Sequence, residues 1–363
     1  MMRRVIDDRV IAQPKDEEAD EERETISNFT FEVPEPKVVI GMKRAQKLLE
    51  LCIQQPLLVP EEYLKNNIEL GVGIMLYGPS GLGKTYLCEA VAAKFKVNFC
   101  LVLPSSIKHK HVGESSKNVK RLMDTAMQNM PCIVFLDEFD ALFADRNSSP
   151  NDGAEEQDTK AEFLSRTGKV LATKENQIFL IGATNRPWAL DKAFVRSGRI
   201  EVHIYVAPPN LSDRIELFKF YCNNANLHYY YLGLISLYYS PADIKKICRV
   251  AWRNSIAKTG KGILTTRNLA KAMRSKEAGR SSLDGWYFNA HDRLLGEHKS
   301  LTRRFLVGLV NVGLRRKRND EQKKKGDLTE SEKMIYAEMI GDVRKFARNY
   351  AFIRLIRCLR YVI

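Results

Sequence analysis

The stretch Leu76-Tyr77-Gly78-Pro79-Ser80-Gly81-Leu82-Gly83-Lys84-Thr85 limits what this chain can fold into more than any other. Its spacing, G-x-x-x-x-G-K-[ST], is that of a phosphate-binding loop joining a strand to a helix. The apolar run Ile74 to Tyr77 predicts a buried strand leading in. Leu87, Ala90, Val91 and Phe95 mark one face of a helix leading out. Glycines let backbone N–H groups close around phosphate oxygens, and the new helix presents the positive end of its dipole to them. Nucleotide contact is therefore expected from Pro79, Ser80, Gly81, Leu82, Gly83, Lys84, Thr85 and Tyr86. Lys84 is placed to reach the β- and γ-phosphates and Thr85 to ligate Mg²⁺.

Along the chain, Lys43 to Gln55 predicts a helix ended by Pro56, and Val97–Leu103 a second strand. Ser115 to Met130 has helical spacing, and Cys132–Leu136 is apolar throughout, as in a strand buried on both faces. Residues 145–158 read as a flexible loop. A helix over 159–171, a strand over Gln177–Ala183 and a fifth strand over Val202–Val206 follow. Strands alternating with helices imply an α/β fold, a parallel P-loop sheet sandwiched by helices. Pro208-Pro209 closes this part, and 211–274 looks wholly helical, with helices over Leu211–Asn224, Pro241–Thr259 and from Thr265 or Thr266 to Met273. The domains expected are an acidic disordered tail (1–28), a P-loop α/β domain (29–207), a small helical domain (208–280) and a basic, helical C-terminal extension (281–363).

Asp137-Glu138 directly follows the apolar strand. Downstream of a P-loop this fits a Walker B element, with Asp137 holding Mg²⁺ and Glu138 polarising the attacking water. Small-molecule kinases have no use for such a base, and the N-K-x-D signature for guanine is absent, which favours adenine. The strand ending in Thr184-Asn185-Arg186-Pro187 is then followed by Leu190-Asp191-Lys192-Ala193-Phe194-Val195-Arg196-Ser197-Gly198-Arg199. With Gly78–Thr85, Val112-Gly113-Glu114-Ser115 and Ile133–Asp140, the chain from Phe29 to Ser275 resembles the AAA branch of the AAA+ ATPases.

The resemblance implies further roles. Asn185 would be the sensor that bonds the attacking water or γ-phosphate. Arg199 matches the arginine finger, which in that family completes the neighbouring subunit's site, so a homo-hexameric ring is implied. Ile40 and Gly41 align with the adenine-contacting segment, and Ala242 with the lid helix over the nucleotide. His111, Val112 and Gly113 align with the pore loop that grips substrate. Three departures stand out. Val202 occupies the place of a second arginine, for which Arg196 is the available substitute. Pro241 replaces a glycine before Ala242, where proline is tolerated as a first helical residue. His111 stands where an aromatic or bulky apolar residue is usual, within Lys108-His109-Lys110-His111. It either makes the loop suited to acidic chains or phosphates, or serves as a flat ring in place of Tyr or Trp.

Charge is unevenly placed. The chain has 58 basic and 44 acidic residues, a net of +14. Residues 1–36 carry five basic and eleven acidic side chains, and residues 299–363 seventeen basic and seven acidic. Arg315-Arg316-Lys317-Arg318 and Lys323-Lys324-Lys325 resemble a bipartite nuclear-import signal or a phosphate-binding arm, against the commoner solvated loop. Ile335, Met339, Val343, Phe346 and Tyr350 form one helical stripe. The apolar residues beyond Ala351 fall on the opposite side, so the helix either breaks there or meets two neighbours. Seven cysteines without a C-x-x-C pair fit a reducing compartment. Asp7 and Asp8 interrupt any leader, and no apolar run approaches a membrane span, so a cytoplasmic protein is expected, or a nuclear one if 315–325 is an import signal.

Three function classes follow: a ring-forming ATPase that remodels a protein substrate, with ATP and Mg²⁺ as cofactors; a nucleic-acid-associated motor or loader using the basic tail; or a non-catalytic nucleotide switch, disfavoured by the presence together of Glu138, Asn185 and Arg199. No H-E-x-x-H follows the ATPase part, so no zinc peptidase is expected.

Overall fold

The computed structural model describes residues 29–109, 113–143, 154–191, 193–194, 198–223, 226–275, 277–278, 281–295 and 334–358. Strands β1 (Val72–Tyr77), β2 (Asn98–Val102), β3 (Cys132–Leu136), β4 (Ile178–Thr184) and β5 (Ile200–Tyr205) form one parallel sheet in the order β2-β3-β4-β1-β5. Alternate residues feed opposite faces. Ile74, Leu76, Ile133, Phe135, Phe179 and Ile181 enter one apolar cluster, and Met75, Val134, Leu136 and Leu180 enter the other. Burial on both sides is why these strands read as unbroken apolar runs.

Helices α1 (Lys43–Leu58) and α3 (Lys84–Phe95) cover the first face through Leu49, Ile53, Leu87 and Val91. Helices α5 (Glu114–Gln128) and α7 (Ala154–Ala172) cover the second through Val119, Leu122, Met123 and Phe163. Short helices α2 (Pro60–Lys65), α4 (Pro104–Ile107) and α6 (Phe139–Leu142) join them. Two expectations are corrected here. Pro56 does not end α1, which runs on to Leu58; in the last turn a proline forfeits a single intrahelical bond, and Pro56 is buried. Helix α7 begins at Ala154, five residues before 159, taking over part of the expected loop. Ala154-Glu155-Glu156-Gln157 are good helix formers with acids at the positive dipole end.

Helices α8 (Leu211–Cys222), α9 (Tyr229–Ile235), α10 (Pro241–Thr259) and α11 (Thr266–Arg274) share a third cluster with Leu217, Phe218, Leu232, Ile244, Ile247, Leu269 and Met273. Reciprocal capping boxes start α8 (Asn210 with Asp213) and α10 (Ser240 with Asp243), and Pro241 sits in the first turn of α10 without disturbing it.

Within 281–363, two helices return to the first face of the sheet. Helix α12 (Ser282–Leu295) buries Leu283, Tyr287 and Ala290, and α13 (Ala337–Cys358) buries Met339, Val343, Phe346 and Ile353 in the same cluster as β1. Tyr287 stacks on Phe346 with centroids 4.5 Å apart and planes 14° apart. Met339, Val343 and Phe346 of the apolar stripe read from the sequence are buried on α13, with Ile335 just ahead of the helix and Tyr350 half-buried, and the helix runs unbroken past Ala351. Residues 1–28 and the basic runs within 315–325 lie outside the described residues.

Candidate nucleotide site

Three adjacent strands deliver the site. β1 leads into Gly78, β3 into Asp137 and β4 into Asn185, with Tyr77 registered on Thr184 and Leu136 on Gly182. Side chains that follow the carboxyl ends of neighbouring parallel strands share one crevice. Lys84 bends back into it: its Nζ donates to Gly78 O and Pro79 O, each at 3.0 Å, and to Asn185 Oδ1 at 2.6 Å. Thr85 Oγ1 donates to Asp137 Oδ2 at 3.1 Å. Lys84 is only 7% exposed, and burial pulls its ammonium down to about 8, with the Asp137 and Asp140 carboxylates opposing that fall.

The loop is shaped for a ligand approached by backbone. Gly81 has φ +79°, and a Cβ there would lie 3.1 Å from Ser240 Oγ and 3.3 Å from Ala242 Cβ. Gly83 is left-handed at the N-cap of α3. Leu82 buries its side chain in the sheet cluster, which leaves its backbone for phosphate, while Ser80 is exposed. Nucleotide phosphates fit this cradle, because Lys84 already satisfies its charge with three oxygens that phosphate oxygens can replace. Thr85 and Asp137 supply the hard oxygen donors that Mg²⁺ takes.

The segments aligned with adenine contact lie beside this loop. Ile40 packs on the lid cluster, and Gly41 (φ +75°) lies so close to α8 that a Cβ would come within 2.9 Å of Asp213 Cγ. Ala242 N donates to Gly81 O at 3.3 Å, which joins the lid helix to the P-loop. Tyr86 Oη donates to Val38 O at 3.0 Å.

Glu138 caps α6 in a left-handed conformation, φ 48° and ψ 45°, and is exposed next to Asp137. An L-residue held there costs on the order of 1 kcal/mol or more, a strain that collects at functional sites. Arg199 belongs to the other edge of the sheet. It precedes β5, whose Ile200 pairs with Gly73 while Tyr205 pairs with Tyr77. At ~3.3 Å per residue its backbone lies ~16 Å, a strand length, from the P-loop. Its guanidinium donates to Ala193 O.

Comparison with known proteins accords with this arrangement. The family model for "ATPase family associated with various cellular activities (AAA)" matches residues 74–208. Residues 74–208 are thus an AAA-family ATPase domain. It is 34% identical to a cell division cycle protein 48 homolog of Archaeoglobus fulgidus over 246 residues, 67% of this chain and 32% of that protein. It is 31% identical to the 26S proteasome regulatory subunit S10B homolog B of Arabidopsis thaliana over 247 residues, 67% of this chain and 61% of that one. A putative cell division cycle ATPase of Plasmodium falciparum is 36% identical over 223 residues, 60% of this chain and 18% of that protein. The chain thus spans less than two thirds of the length of these relatives.

Other AAA features are placed unevenly. Val202 lies in β5, paired with Ile74 and packed against the first cluster, so nothing at that position takes up an arginine's work. Arg196, and His111 and Val112 of the aligned pore loop, lie outside the described residues. Gly113 is left-handed at the N-cap of α5. His109 N donates to Ser115 Oγ at 3.1 Å.

Three features escaped the sequence reading. Asp140, 5% exposed, accepts from Thr184 Oγ1 and Arg186 Nε, each at 2.7 Å, and so ties the Asp137 turn to the Asn185 turn. Its signal was the third acid of Asp137-Glu138-Phe139-Asp140. Trp286 Nε1, on α12, donates to Asn185 O at 2.6 Å, a contact across 101 residues that no local pattern announces. Helices α10 and α11 and the loop between them place nine basic residues against one acidic between 241 and 274. Charge counted only over residues 1–36 and 299–363 leaves that excess out.

Proposed function

We propose that the chain hydrolyses ATP with Mg²⁺ as a subunit of a homo-hexameric ring and couples turnover to the unfolding or disassembly of a protein substrate. The observation that carries this reading is the meeting of Lys84 with Asn185 and of Thr85 with Asp137, beside an exposed Glu138, at the ends of three neighbouring strands. In this reading Lys84 binds the β- and γ-phosphates, Asn185 orients the attacking water, and Glu138 accepts its proton. Thr85 and Asp137 would hold Mg²⁺, which neutralises charge on the phosphates when bound. Arg199, a strand length from its own P-loop, serves the neighbouring subunit. The names of the relatives, cell division cycle and proteasome regulatory proteins, favour a protein substrate. Among the described residues no helix is long and apolar enough to cross a membrane.

Glu138→Gln tests the reading. Removing a general base costs ~10²–10⁴-fold, so ATP turnover is expected to fall by at least two orders of magnitude while ATP affinity holds and the assembled form accumulates. Unchanged turnover overturns the assignment.

A second reading, a nucleic-acid-associated motor, is favoured by one observation. A cleft of about 640 Å³ between α10 and α11 is lined by Lys258, Lys271, Arg274, Asn254 and Asn268. Stimulation of ATPase by single-stranded nucleic acid, falling steeply with salt, supports this second reading; stimulation by an unfolded protein alone supports the first.

A further inference from the structure

Helix α12 touches both halves of the nucleotide site with one face. Ser282, in its first turn, donates to Asp243 Oδ2 through its N at 3.1 Å and its Oγ at 2.9 Å. That carboxylate also accepts from Ser240 N, so it is the cap that starts the lid helix beside Gly81. One turn on, at i+4 and hence on the same face, Trp286 Nε1 donates to Asn185 O at 2.6 Å, with its ring 5.8 Å from that of Trp188.

The helix is braced from behind. Tyr287 stacks on Phe346 and Phe288 lies 4.8 Å from Tyr350, so α13 backs α12. The segment entering α13 is joined to the last residue of β1: Tyr77 Oη donates to Ile335 O at 3.1 Å, and the rings of Tyr77 and Tyr336 are 5.1 Å apart. A strut so held moves little relative to β1, yet its first turn is bonded to the lid.

Asn185 therefore carries two constraints. Its side-chain oxygen receives Lys84 and its backbone carbonyl receives Trp286. The second bond fixes the peptide from which the amide side chain projects. Displacing a reacting group by about 1 Å can cost ~10²-fold in rate, so the bond acts on geometry at the γ-phosphate side rather than on nucleotide affinity. We propose that Trp286 is a positioning residue for the hydrolytic step, orienting Asn185 from a helix anchored to the lid. This rests on the ATPase reading and on the role given there to Asn185.

Trp286→Phe keeps an aromatic ring against Trp188 and removes the N–H donor. In the full-length chain we expect kcat for ATP to fall about tenfold, near the loss for one buried hydrogen bond, with KM within about twofold of the starting chain. The thermal midpoint and the sedimentation of the assembled form should hold. In an Asn185→Ala background the same substitution should add almost nothing, because both act through one group. An unchanged kcat overturns the proposal. So does a kcat loss that adds in full to that of Asn185→Ala, or one that appears only together with a lowered thermal midpoint. Failure of the underlying reading looks different: the starting chain would then show no turnover that depends on Glu138, and both proposals would fall together.

Discussion

Lys84 and Arg199 are the two cations that we propose meet nucleotide phosphates, Lys84 in its own site and Arg199 in a neighbour's, and the fold treats them in opposite ways. Lys84 is 7% exposed, bonded to three oxygens at the carboxyl ends of β1 and β4 and pulled down to about 8 by burial. Arg199 is half-buried at the amino end of β5, donating to the carbonyl of Ala193. A lysine can be buried because its ammonium can lose its proton or be met by backbone oxygens. A guanidinium stays charged and offers a planar fork, suited to reaching out to an anion held elsewhere. The difference is between a lysine built into the crevice and an arginine a strand length from it, which our proposal gives to a neighbouring site.

The largest expected effect tests that asymmetry at its outer end. An arginine finger is worth ~10³–10⁵-fold in related nucleotidases, so Arg199→Ala should lower turnover by at least about 10³-fold and leave nucleotide affinity, measured by calorimetry, almost unchanged. Mixing it with Glu138→Gln subunits should restore part of the activity, since rings then contain sites with both an intact Glu138 and a neighbour's Arg199. A rise in the dissociation constant with no rescue in mixtures would place Arg199 in its own site and break the comparison.

Gly81→Ala probes the inner end. The left-handed backbone penalises an L-residue by ~1–2 kcal/mol, and the new Cβ would press on Ser240 Oγ and Ala242 Cβ. Nucleotide affinity should fall roughly tenfold, with a modest drop in thermal midpoint, because the lid helix must shift from the loop. Equal affinity in the variant would mean that the lid contact at Gly81 plays no part in closure.

The smallest effect is a pH dependence. The fall of Lys84 to about 8 means the free folded protein binds fewer protons than the unfolded chain from there up to the ordinary lysine value. Two signs follow. Stability gains from this group as pH rises through that window. Nucleotide affinity does the reverse, because phosphate favours the ammonium: it is fully present below about 8 and weakens above it, by about tenfold at pH 9 relative to pH 7. Calorimetry at pH 8 in two buffers of different ionisation enthalpy should register proton uptake on binding. No uptake would mean that Lys84 stays charged in the free site.

Much of the sheet was legible because burial on both faces writes strands as plain apolar runs. Cys132–Leu136 matched residue for residue, and Pro241–Thr259 was readable from its first-turn proline and the helical look of 211–274. Pro56 misled, since its effect depends on how near the helix end it stands. Helix α12 carried a readable pattern in Leu283, Tyr287 and Ala290, but it followed the stretch where resemblance faded. The cations of α10 and α11 were visible as letters and invisible as a cluster until the two helices were packed side by side.

By itself the sequence determined the kind of chemistry. Glycine, lysine and threonine at P-loop spacing, and two carboxylates after an apolar strand, depend on local geometry that a few consecutive residues specify. What only the tertiary structure decided was how distant segments share that chemistry: Asp140 linking two turns, Arg199 a strand length from Gly78, and Trp286 on the carbonyl of Asn185. Parallel strands require long crossovers, so neighbours in the crevice are far apart in the chain, and no local pattern records their meeting.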